Sequence, residues 1–315
     1  MKLLDANFEK MRNSKVTAAP AINIDVCAVI TTYRPDNGFI NRVELVMNQV
    51  GMVVIVDDGD SNFNKHSLKK WFEKMDKVIL HHNPINIGIA ASLNKGITIA
   101  RDRGFEWFLT LDDDSEVGLG MVDSLITYLR KVDGEKPIGV IGMSWSQKNN
   151  TQLSREAQKN SEWSDKRGII TSGSMFSLKV YDDIGPFRNE FIIGLVDYDF
   201  CLRARAKGYR VIKINEIGFE HSLGVMVRHR LLCFYVNTYN HAAYRLYYGH
   251  RNSTILAMEY VYRDPMYSLA VLKYQISMFI IVLLFEQNKA KKIGYMLRGI
   301  IDGCRNRLGK TIPID

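Results

Sequence analysis

The sequence predicts an α/β fold built around a mostly parallel sheet, and two patterns in the first part of the chain indicate this class. Short apolar runs rich in β-branched residues alternate with segments of helical periodicity, as in βαβ units. Three of these runs pass directly into polar clusters, at 31–36, 57–60 and 112–114. The carboxyl ends of parallel strands meet at one edge of a sheet, so we expect a ligand site there.

Four near-continuous apolar runs predict the first strands. They are VCAVITTY at 26–33, MVVIVDDG at 52–59, VILHHN at 78–83 and WFLTLDDD at 107–114. Helices are predicted between them at 39–49, 66–75 and 89–104. Gly104 marks the end of the last of these, since glycine commonly terminates a helix.

The regular alternation changes further along the chain. Strands are predicted at 139–145, 169–178 and 211–215, a surface loop at 147–168 and a helix at 198–209. From about residue 230 the pattern is helical and aromatic. We therefore expect a lead-in segment at 1–23, an α/β domain at 24–225 and a helical C-terminal extension at 226–315.

The chain is basic, with a net charge of +8 and a pI near 9.2, and the cationic excess lies mostly after residue 225. Such a surface favours anionic partners, namely phosphorylated small molecules, nucleic acid or an anionic membrane face. The segment 267–287 is strongly apolar, but Lys273 and Gln275 interrupt it. We expect a buried or interfacial helix there rather than a membrane span.

Cysteine usage and the start of the chain predict a reduced, cytoplasmic protein. The four cysteines, at 27, 201, 233 and 304, show neither metal-ligand spacing nor a disulfide framework. The first residues lack an apolar stretch of signal-peptide length. The phosphate-binding patterns GxGxxG and GxxxxGK[ST] do not occur in the sequence, which argues against nicotinamide dehydrogenases and P-loop NTPases.

Asp112, Asp113 and Asp114 follow a buried strand directly, although neighbouring carboxylates repel and are costly to desolvate. An Asp-x-Asp pair there can hold Mg²⁺ or Mn²⁺, which would offset the charge. A turn is the ordinary alternative, since aspartate is common where strands end. Asp57, at another strand end, can accept a hydrogen bond from a base N–H or a ribose hydroxyl.

Two carboxylates, Asp197 and Asp199, precede or begin a predicted helix. Helix capping explains at least one of them, and the other can act as a general base toward a hydroxyl nucleophile. His221 follows the next predicted strand. A single histidine is usually structural, but imidazole can also complete a metal site with carboxylates.

The order of these motifs resembles the inverting family 2 glycosyltransferases of the GT-A fold, and in particular their bacterial rhamnosyltransferase-like branch. The motifs are TTYRP at 31–35, VDDG at 56–59, Asn86-x-Gly88, LDDDS at 111–115, SGS at 172–174, VDYDFCLR at 196–203 and His221. The resemblance extends from about residue 26 to 255. It implies a Rossmann-like, mixed and mostly parallel sheet flanked by helices.

The resemblance also implies roles for individual residues. Asp197 would be the catalytic base, and Asp112, Asp114 and His221 would hold Mn²⁺ or Mg²⁺. The nucleotide-sugar site would comprise Thr31, Tyr33, Arg34, Asp57, Asn86, Asp112, Asp113 and Arg251. Asp113 stands where the branch often has glutamine, which leaves open how the three carboxylates share the metal.

The implied reaction transfers L-rhamnose from dTDP-L-rhamnose to a saccharide or lipid-linked saccharide, in the synthesis of a surface polysaccharide such as O-antigen. The C-terminal part would contact the inner face of the cell membrane peripherally, nucleic acid would not be a partner, and oligomerisation is left open. Alternatives are a family 2 transferase using a UDP- or GDP-sugar (galactosyl, glucosyl or mannosyl), a sugar-nucleotide nucleotidyltransferase and a catalytically silent binding module. ITTYRPDNG lacks the Gly-rich basic loop of nucleotidyltransferases, and the acidic positions 112, 114 and 197 argue against the silent module.

Overall fold

The computed structural model describes residues 24–59, 71–72, 75–132, 134–147, 161–221, 227–231 and 234–314. The predicted lead-in segment, 1–23, lies outside the described residues. So do most of the helix expected at 66–75 and most of the loop expected at 147–168.

A mixed, mostly parallel sheet forms the centre of the described part of the chain. Its strands are β1 Val26–Thr32, β2 Met52–Asp57, β3 Val78–His82, β4 Trp107–Asp112, β5 Glu116–Val117, β6 Ile138–Gln147, β7 Trp163–Asp165, β8 Ser174–Ser177 and β9 Arg210–His221. Their order is β3-β2-β1-β4-β8-β6-β9-β5, with β7 added against β9. The first four strands are parallel and β8 runs antiparallel to its two neighbours. The predicted fold class is confirmed.

Helices cover both faces of this sheet. They are α1 Phe39–Met47, α2 Ile89–Asp102, α3 Met121–Lys131, α4 Leu178–Ile184 and α5 Val196–Ala206, followed by α6 Ala243–Tyr260, α7 Pro265–Phe285 and α8 Lys289–Cys304. Alternate residues of β1 face opposite sides: Ala28 and Ile30 pack with α1 and α3, and Val29 packs with α2. Burial on both faces explains why the strands read as continuous apolar runs.

The strand register brings the three predicted polar clusters to one edge. Thr31 lies opposite Asp112 on one side and Val56 on the other, and Thr32 lies opposite Asp57. Strands β6 and β9 continue beyond this edge, so β9 ends at His221, opposite position 147. The edge therefore collects side chains from both halves of the sheet.

Three predicted boundaries were wrong. The strand expected at 169–178 is only Ser174–Ser177, because the chain turns at Gly173, where φ is +74°. The strand expected at 211–215 extends over Arg210–His221. Part of the loop expected at 147–168 forms β7.

The C-terminal region begins with a hairpin rather than with the predicted helix. Strands β10 Val227–Leu231 and β11 Phe234–Thr238 pair antiparallel before α6. The segment FYVNT is rich in aromatic and β-branched residues, which favour strands. Helices α6 and α8 then pack closely, since a Cβ at Gly299 or Gly303 would meet atoms of α6. The boundary near residue 225 stays a prediction.

Helix α7 has 21 residues and lies along the protein surface. Its buried residues are Tyr267, Val271, Gln275 and Val282. Gln275 Nε2 donates to Ser253 Oγ at 3.0 Å and Thr254 Oγ1 at 2.9 Å, which fixes α7 to α6. Among the described residues, α7 is the one helix that is both long enough and apolar enough to cross a membrane. Within its most apolar 18-residue stretch, 11% of the residues are buried inside the protein. The alternative of a buried helix was therefore wrong.

The apolar side chains on the open side of α7 form what we call the α7 face. Its members, each more than half exposed, are Met266, Leu269, Leu272, Ile276, Ile280 and Leu283. Exposed apolar patches of this kind on soluble proteins mark contacts with proteins or membranes. The α7 face is therefore a candidate interaction surface.

We expect Gly173→Ala to lower the free energy of unfolding by about 3 kcal/mol, because strain at positive φ adds to overpacking. A Cβ there would collide with the Phe219 ring. Gly208→Ala is the control, since Gly208 also has positive φ, +94°, but no atom lies within 4 Å of its Cβ position. Urea unfolding of both variants measures the difference. Equal losses at the two positions would contradict the close packing of Gly173 on Phe219.

Candidate active site

The middle carboxylate of the aspartate triplet ties β4 to the end of β1. Asp113 accepts hydrogen bonds from Thr32 Oγ1 at 2.9 Å and from the Tyr33 N–H at 3.1 Å. Arg42 Nε donates to the Asp113 carbonyl at 2.7 Å. Burial raises the pKa of Asp113, and the two hydrogen bonds and the Arg42 charge oppose that rise. In the structure the Asp113 carboxylate holds the loop after β1, and its contact with the nucleotide sugar stays a prediction.

The two outer carboxylates face a histidine. One ligand atom each of Asp112, Asp114 and His221 lies within 4.8 Å of the others. His221 Nε2 is 3.8 Å from Asp112 Oδ2, and His221 Nδ1 is 3.1 Å from Asp114 Oδ1. Asp114 Oδ1 is buried and has this ion pair with His221 as its contact. The structure therefore brings the three predicted metal ligands together.

Two serines and an aromatic ring position this cluster. Ser115 Oγ lies 3.1 Å from His221 Nδ1 and 2.7 Å from Ser172 Oγ. Ser172 Oγ also accepts from the Asp112 N–H at 3.2 Å. The rings of Trp145 and His221 are nearly perpendicular, with their centroids 5.7 Å apart. Sequence reasoning missed Ser115 as a positioning residue, although it directly follows the triplet.

The electrostatics of the cluster fit a divalent cation. Burial raises the pKa of Asp112 to about 6; His221 opposes the rise, and Asp114 and Asp113 add to it. The pKa of His221 is raised: burial alone would lower it, and the neighbouring carboxylates outweigh burial. Two carboxylates and one imidazole suit Mn²⁺ better than Mg²⁺, which prefers oxygen ligands alone.

A second group of polar atoms lies at the ends of β2 and β3. Asp57 Oδ2 is 2.7 Å from His82 Nδ1. The other oxygen, Asp57 Oδ1, and Asn86 Oδ1 are both buried without a hydrogen-bond partner. Buried polar atoms are normally paired, so two unpaired acceptors indicate a ligand with N–H or O–H donors. Sequence reasoning assigned no role to His82, although this residue ends a strand at the same edge.

Asp58, in contrast, is structural. Its carboxylate accepts from Asn83 Nδ2 at 3.1 Å and from the backbone N–H groups of Ile87 and Gly88, both at 2.9 Å. These bonds shape the loop that carries Asn86. One aspartate of the VDDG motif therefore builds the loop, and the other, Asp57, has one buried oxygen without a hydrogen-bond partner.

The remaining residues predicted for the nucleotide lie at the end of β1. Thr31 is buried within the sheet, 8% exposed, beside Asp112. Tyr33 is 40% exposed, and the Arg34 guanidinium lies over its ring, 5.0 Å from the centroid. Arg34 has a positive φ of +57°, so the chain turns sharply here. Nucleotide contacts of these three residues stay predictions.

The two aspartates at the start of α5 have separate roles. Asp199 is fully buried and pairs with Arg188 at 3.1 Å and Arg203 at 2.8 Å, so it is a structural anchor. Asp197 accepts a hydrogen bond from the Tyr198 N–H at 2.8 Å. Burial raises the pKa of Asp197 to about 6, although backbone N–H groups, including that of Thr171, stabilise its ionised form.

Asp197 lies close enough to the metal-ligand cluster for its charge to raise the pKa of Asp112. A carboxylate with a pKa near 6 is ionised at neutral pH and can still take up a proton, which suits a general base. The predicted base therefore lies within electrostatic range of the predicted metal ligands.

The guanidinium of Arg251, a residue predicted to contact the nucleotide sugar, is fully buried and engaged within the protein, and the substrate contact stays a prediction. It donates to Asn252 Oδ1 at 2.9 Å, to the Glu190 carbonyl at 2.8 Å and to the Gly309 carbonyl at 2.5 Å. Asn252 Nδ2 in turn donates to three carbonyls, those of Phe191, Ile193 and Gly194. The Arg-Asn pair thus fixes the segment just before α5 and Asp197.

A model of glycosyl transferase family 2 matches residues 27–185, half of the chain. The protein belongs to this family. A dTDP-rhamnosyl transferase, RfbF of Shigella flexneri, is 24% identical over 298 residues, which cover 91% of this chain and 98% of that protein. Both comparisons support the predicted family and a glycosyltransferase activity.

Solved structures of glycosyltransferase-like proteins share the fold. TarS residues 1–349 of S. aureus superpose with a TM-score of 0.61 at 13% identity, covering 90% of this chain and 82% of that one. The complex of the same protein with UDP-GlcNAc gives 0.59 at 12%, covering 89% and 81%. GalNAc-T7 with UDP, GalNAc and Mn²⁺ gives 0.51 at 12%, covering 66% of this chain and 44% of that one. At these identities the likeness shows the fold alone, which is GT-A-like with a C-terminal helical region.

We expect Arg251→Met to lower the free energy of unfolding by about 3 kcal/mol, because several buried carbonyls lose a charged donor. Arg245→Met, at an exposed position of the same helix, should leave stability unchanged. Thermal and urea unfolding measure both. A variant at 251 that is as stable as the unmodified protein but binds nucleotide more weakly would favour the substrate-contact interpretation.

Proposed function

We propose that the protein is a metal-dependent, inverting glycosyltransferase that moves a sugar from a nucleoside-diphosphate donor to a hydroxyl of a saccharide acceptor. The observation that carries this proposal is the position of Asp197 beside the cluster of Asp112, Asp114 and His221. A proton acceptor and a candidate site for a diphosphate-binding cation then share one sheet edge. This combination can support direct transfer between a bound donor and acceptor.

The donor is proposed to extend along this edge, with its base near β2. The unpaired acceptors Asp57 Oδ1 and Asn86 Oδ1 can bind N–H or O–H groups of a base or ribose. Tyr33 and Arg34 lie at the end of the neighbouring strand and offer an aromatic face and a cation. The proposed donor is dTDP-L-rhamnose, supported by the likeness to a named dTDP-rhamnosyl transferase. A UDP- or GDP-sugar is the alternative, and TarS has been solved with UDP-GlcNAc.

In the proposed reaction, the acceptor hydroxyl oxygen attacks the anomeric carbon while its proton passes to Asp197. The bond from that carbon to the diphosphate oxygen breaks, and the configuration inverts in one displacement. A divalent cation held by Asp112, Asp114 and His221 would neutralise charge on the leaving diphosphate. Asp113, Thr32 and Arg42 keep the triplet in place during the reaction.

The proposed acceptor is a saccharide or lipid-linked saccharide used for a surface polysaccharide, and the α7 face is the proposed membrane contact. Arg263 lies at one end of α7 and Lys289 and Lys291 at the other, all exposed. Cations that flank an apolar surface match a membrane with anionic headgroups. Because α7 is fixed to α6 along its length, it would lie in the interface rather than cross the bilayer.

We expect Asp197→Asn to lower kcat by about 10²–10⁴-fold and to leave dTDP affinity unchanged, because the amide cannot accept the proton. Asp123→Asn, an exposed change on α3, is the matched control. In the unmodified protein the rate should rise with pH and level off above about pH 6, as Asp197 becomes ionised. Rapid turnover by Asp197→Asn would remove this residue from the base role.

We expect EDTA to abolish transfer and to weaken dTDP binding, and Mn²⁺ to restore both at lower concentration than Mg²⁺. Asp114→Asn should raise the Mn²⁺ concentration needed for half-maximal dTDP affinity, because a ligand oxygen is lost. Calorimetry reports the affinity independently of activity. Full activity in excess EDTA would contradict a metal-dependent reaction.

We expect the pair Leu272→Glu and Ile276→Glu to reduce binding to phosphatidylglycerol vesicles at least tenfold, because two charges would enter the apolar interface. The control pair, Asn41→Glu and Thr98→Glu, adds the same charge at exposed positions of α1 and α2. Vesicle co-sedimentation measures both. The membrane contact is refuted if the unmodified protein does not bind the vesicles. It is also refuted if analytical ultracentrifugation shows that two copies of the protein associate through the α7 face.

A further inference from the structure

The four residues just before helix α5, 192–195, have an unusual backbone, and we call them the connector. Three of them have positive φ: Ile192 at +60°, Gly194 at +80° and Leu195 at +59°. Side chains other than that of glycine rarely adopt this region, because Cβ then crowds the backbone. The connector leads directly to Asp197, which lies in the first turn of α5. The direction in which the proposed base enters the site therefore depends on it.

Ile192 adopts a strained conformation within the connector. With φ of +60° and ψ of −65° it forms the rare γ-turn of positive φ, in which the Ile193 N–H donates to the Phe191 carbonyl at 2.6 Å. Isoleucine is branched at Cβ, so positive φ is especially unfavourable for it. Such a conformation persists only where the surroundings enforce it, and these residues cluster at functional sites.

The surroundings hold Ile192 at both its side chain and its carbonyl. The side chain is buried in an apolar cluster with Tyr247 and Tyr248 of α6. The carbonyl accepts a hydrogen bond from the Ile89 N–H at 2.9 Å. Ile89 is the first residue of α2, so this N–H has no acceptor within its own helix. Helices α2 and α6 therefore meet the connector at one residue.

The start of α2 lies directly against the connector because residue 88 is glycine. Gly88 has a φ of +89°, and a Cβ there would come within 2.8 Å of the Ile192 carbonyl oxygen. The N–H groups of Ile87 and Gly88 both donate to Asp58 at 2.9 Å and shape the loop before α2. This loop carries Asn86, a proposed donor contact. A short stretch of backbone and one hydrogen bond therefore join the proposed donor site to the connector.

From these contacts we infer that Ile192 is a positioning residue for the proposed base, and that its bond to Ile89 transmits donor binding to Asp197. A donor that binds Asn86 orders the loop before α2, and the Ile89 N–H then fixes the Ile192 carbonyl. The connector in turn fixes the first turn of α5. This inference rests on the proposed glycosyl transfer and adds how an occupied donor site prepares the base.

The bond between α2 and the connector can be removed by one substitution. Ile89→Pro deletes the N–H, and proline is favoured at the first position of a helix. Gly88 has a ψ of +159°, which is the extended backbone that a following proline requires. Ile89→Ala is the matched variant, since it shortens the side chain and keeps the N–H. Ala243→Pro controls for proline itself, because it starts α6 after Ala242, whose ψ is +146°.

Hydrogen exchange of the full chain, followed by mass spectrometry with and without dTDP and Mn²⁺, measures the coupling. In the unmodified protein we expect dTDP to slow exchange about fivefold in peptides covering 84–90 and in peptides covering 192–200. Ile89→Ala and Ala243→Pro should show the same slowing at both places. Ile89→Pro should keep the slowing at 84–90 and lose it at 192–200, because the hydrogen bond between them is gone.

Turnover gives a second readout, measured as dTDP released from dTDP-L-rhamnose in the presence of Mn²⁺ with water as the acceptor. We expect Ile89→Pro to lower this rate about tenfold and to leave dTDP affinity unchanged. Added to Asp197→Asn, it should have no further effect, because both substitutions act through the same base. General destabilisation would instead lower the rate by the same factor in both backgrounds.

A second variant applies if Ile89→Pro does not fold. Ile192→Gly removes the side chain that packs with the two tyrosines, and glycine accepts positive φ without strain. It should lose the slowing of exchange at 192–200, and the conservative Ile192→Val should restore it.

The outcomes separate this inference from the proposed function. Unchanged exchange at 192–200 when the unmodified protein binds dTDP would overturn the coupling. So would slowing that persists in Ile89→Pro and Ile192→Gly, or an equal loss of rate in both backgrounds. Failure of the unmodified protein to bind dTDP with Mn²⁺, or rapid turnover by Asp197→Asn, would instead count against the proposed glycosyl transfer and, with it, against the inference.

Discussion

The bond between Asp113 and the end of β1 is the constraint on which the rest of the site depends. Three consecutive carboxylates can share one turn because the middle one is used within the protein. Thr32 and Tyr33 donate to its side chain, and Arg42 donates to its carbonyl and opposes its charge. The outer two carboxylates are then turned toward His221. The three like charges can lie together because they have different partners. Arg42 opposes the charge of Asp113, and the imidazole of His221 and a candidate cation oppose those of the outer two carboxylates.

The second half of the chain supplies the remaining residues of the candidate site. Strand β9 continues past the sheet edge and carries His221, and Asp197 lies in the first turn of α5, just after the segment 190–194. That segment is held by Arg251 and Asn252, which belong to the C-terminal helices. The C-terminal region is thus part of the scaffold of the site as well as the carrier of the exposed α7 face. Arg251 lies far along the chain and is buried among carbonyls, and it holds the segment that leads to Asp197, the proposed base.

The sequence predicted the sheet and its ligand edge well, because both follow from local pattern. Apolar runs that end in carboxylates identify strands and their carboxyl ends without knowledge of the fold. It could not reveal the contacts of residues whose partners lie far away in the chain. Arg251 was read as a ligand contact, yet the carbonyls it satisfies belong to residues 190 and 309. Asp113 could not be told from its neighbours, since only the fold shows which carboxylate meets Thr32. The hairpin of β10 and β11 was missed because short aromatic segments are ambiguous between strand and helix.

We propose that Asp112, Asp114 and His221 form one cation site at the end of β4. Electron paramagnetic resonance of Mn²⁺ bound to the protein with dTDP tests it most directly, through the spin-echo modulation that a coordinated nitrogen produces. We predict modulation from one imidazole nitrogen, present in the unmodified protein and lost in His221→Gln while Mn²⁺ stays bound more weakly. Tightly bound Mn²⁺ without nitrogen modulation, or modulation that survives His221→Gln, would contradict the assignment.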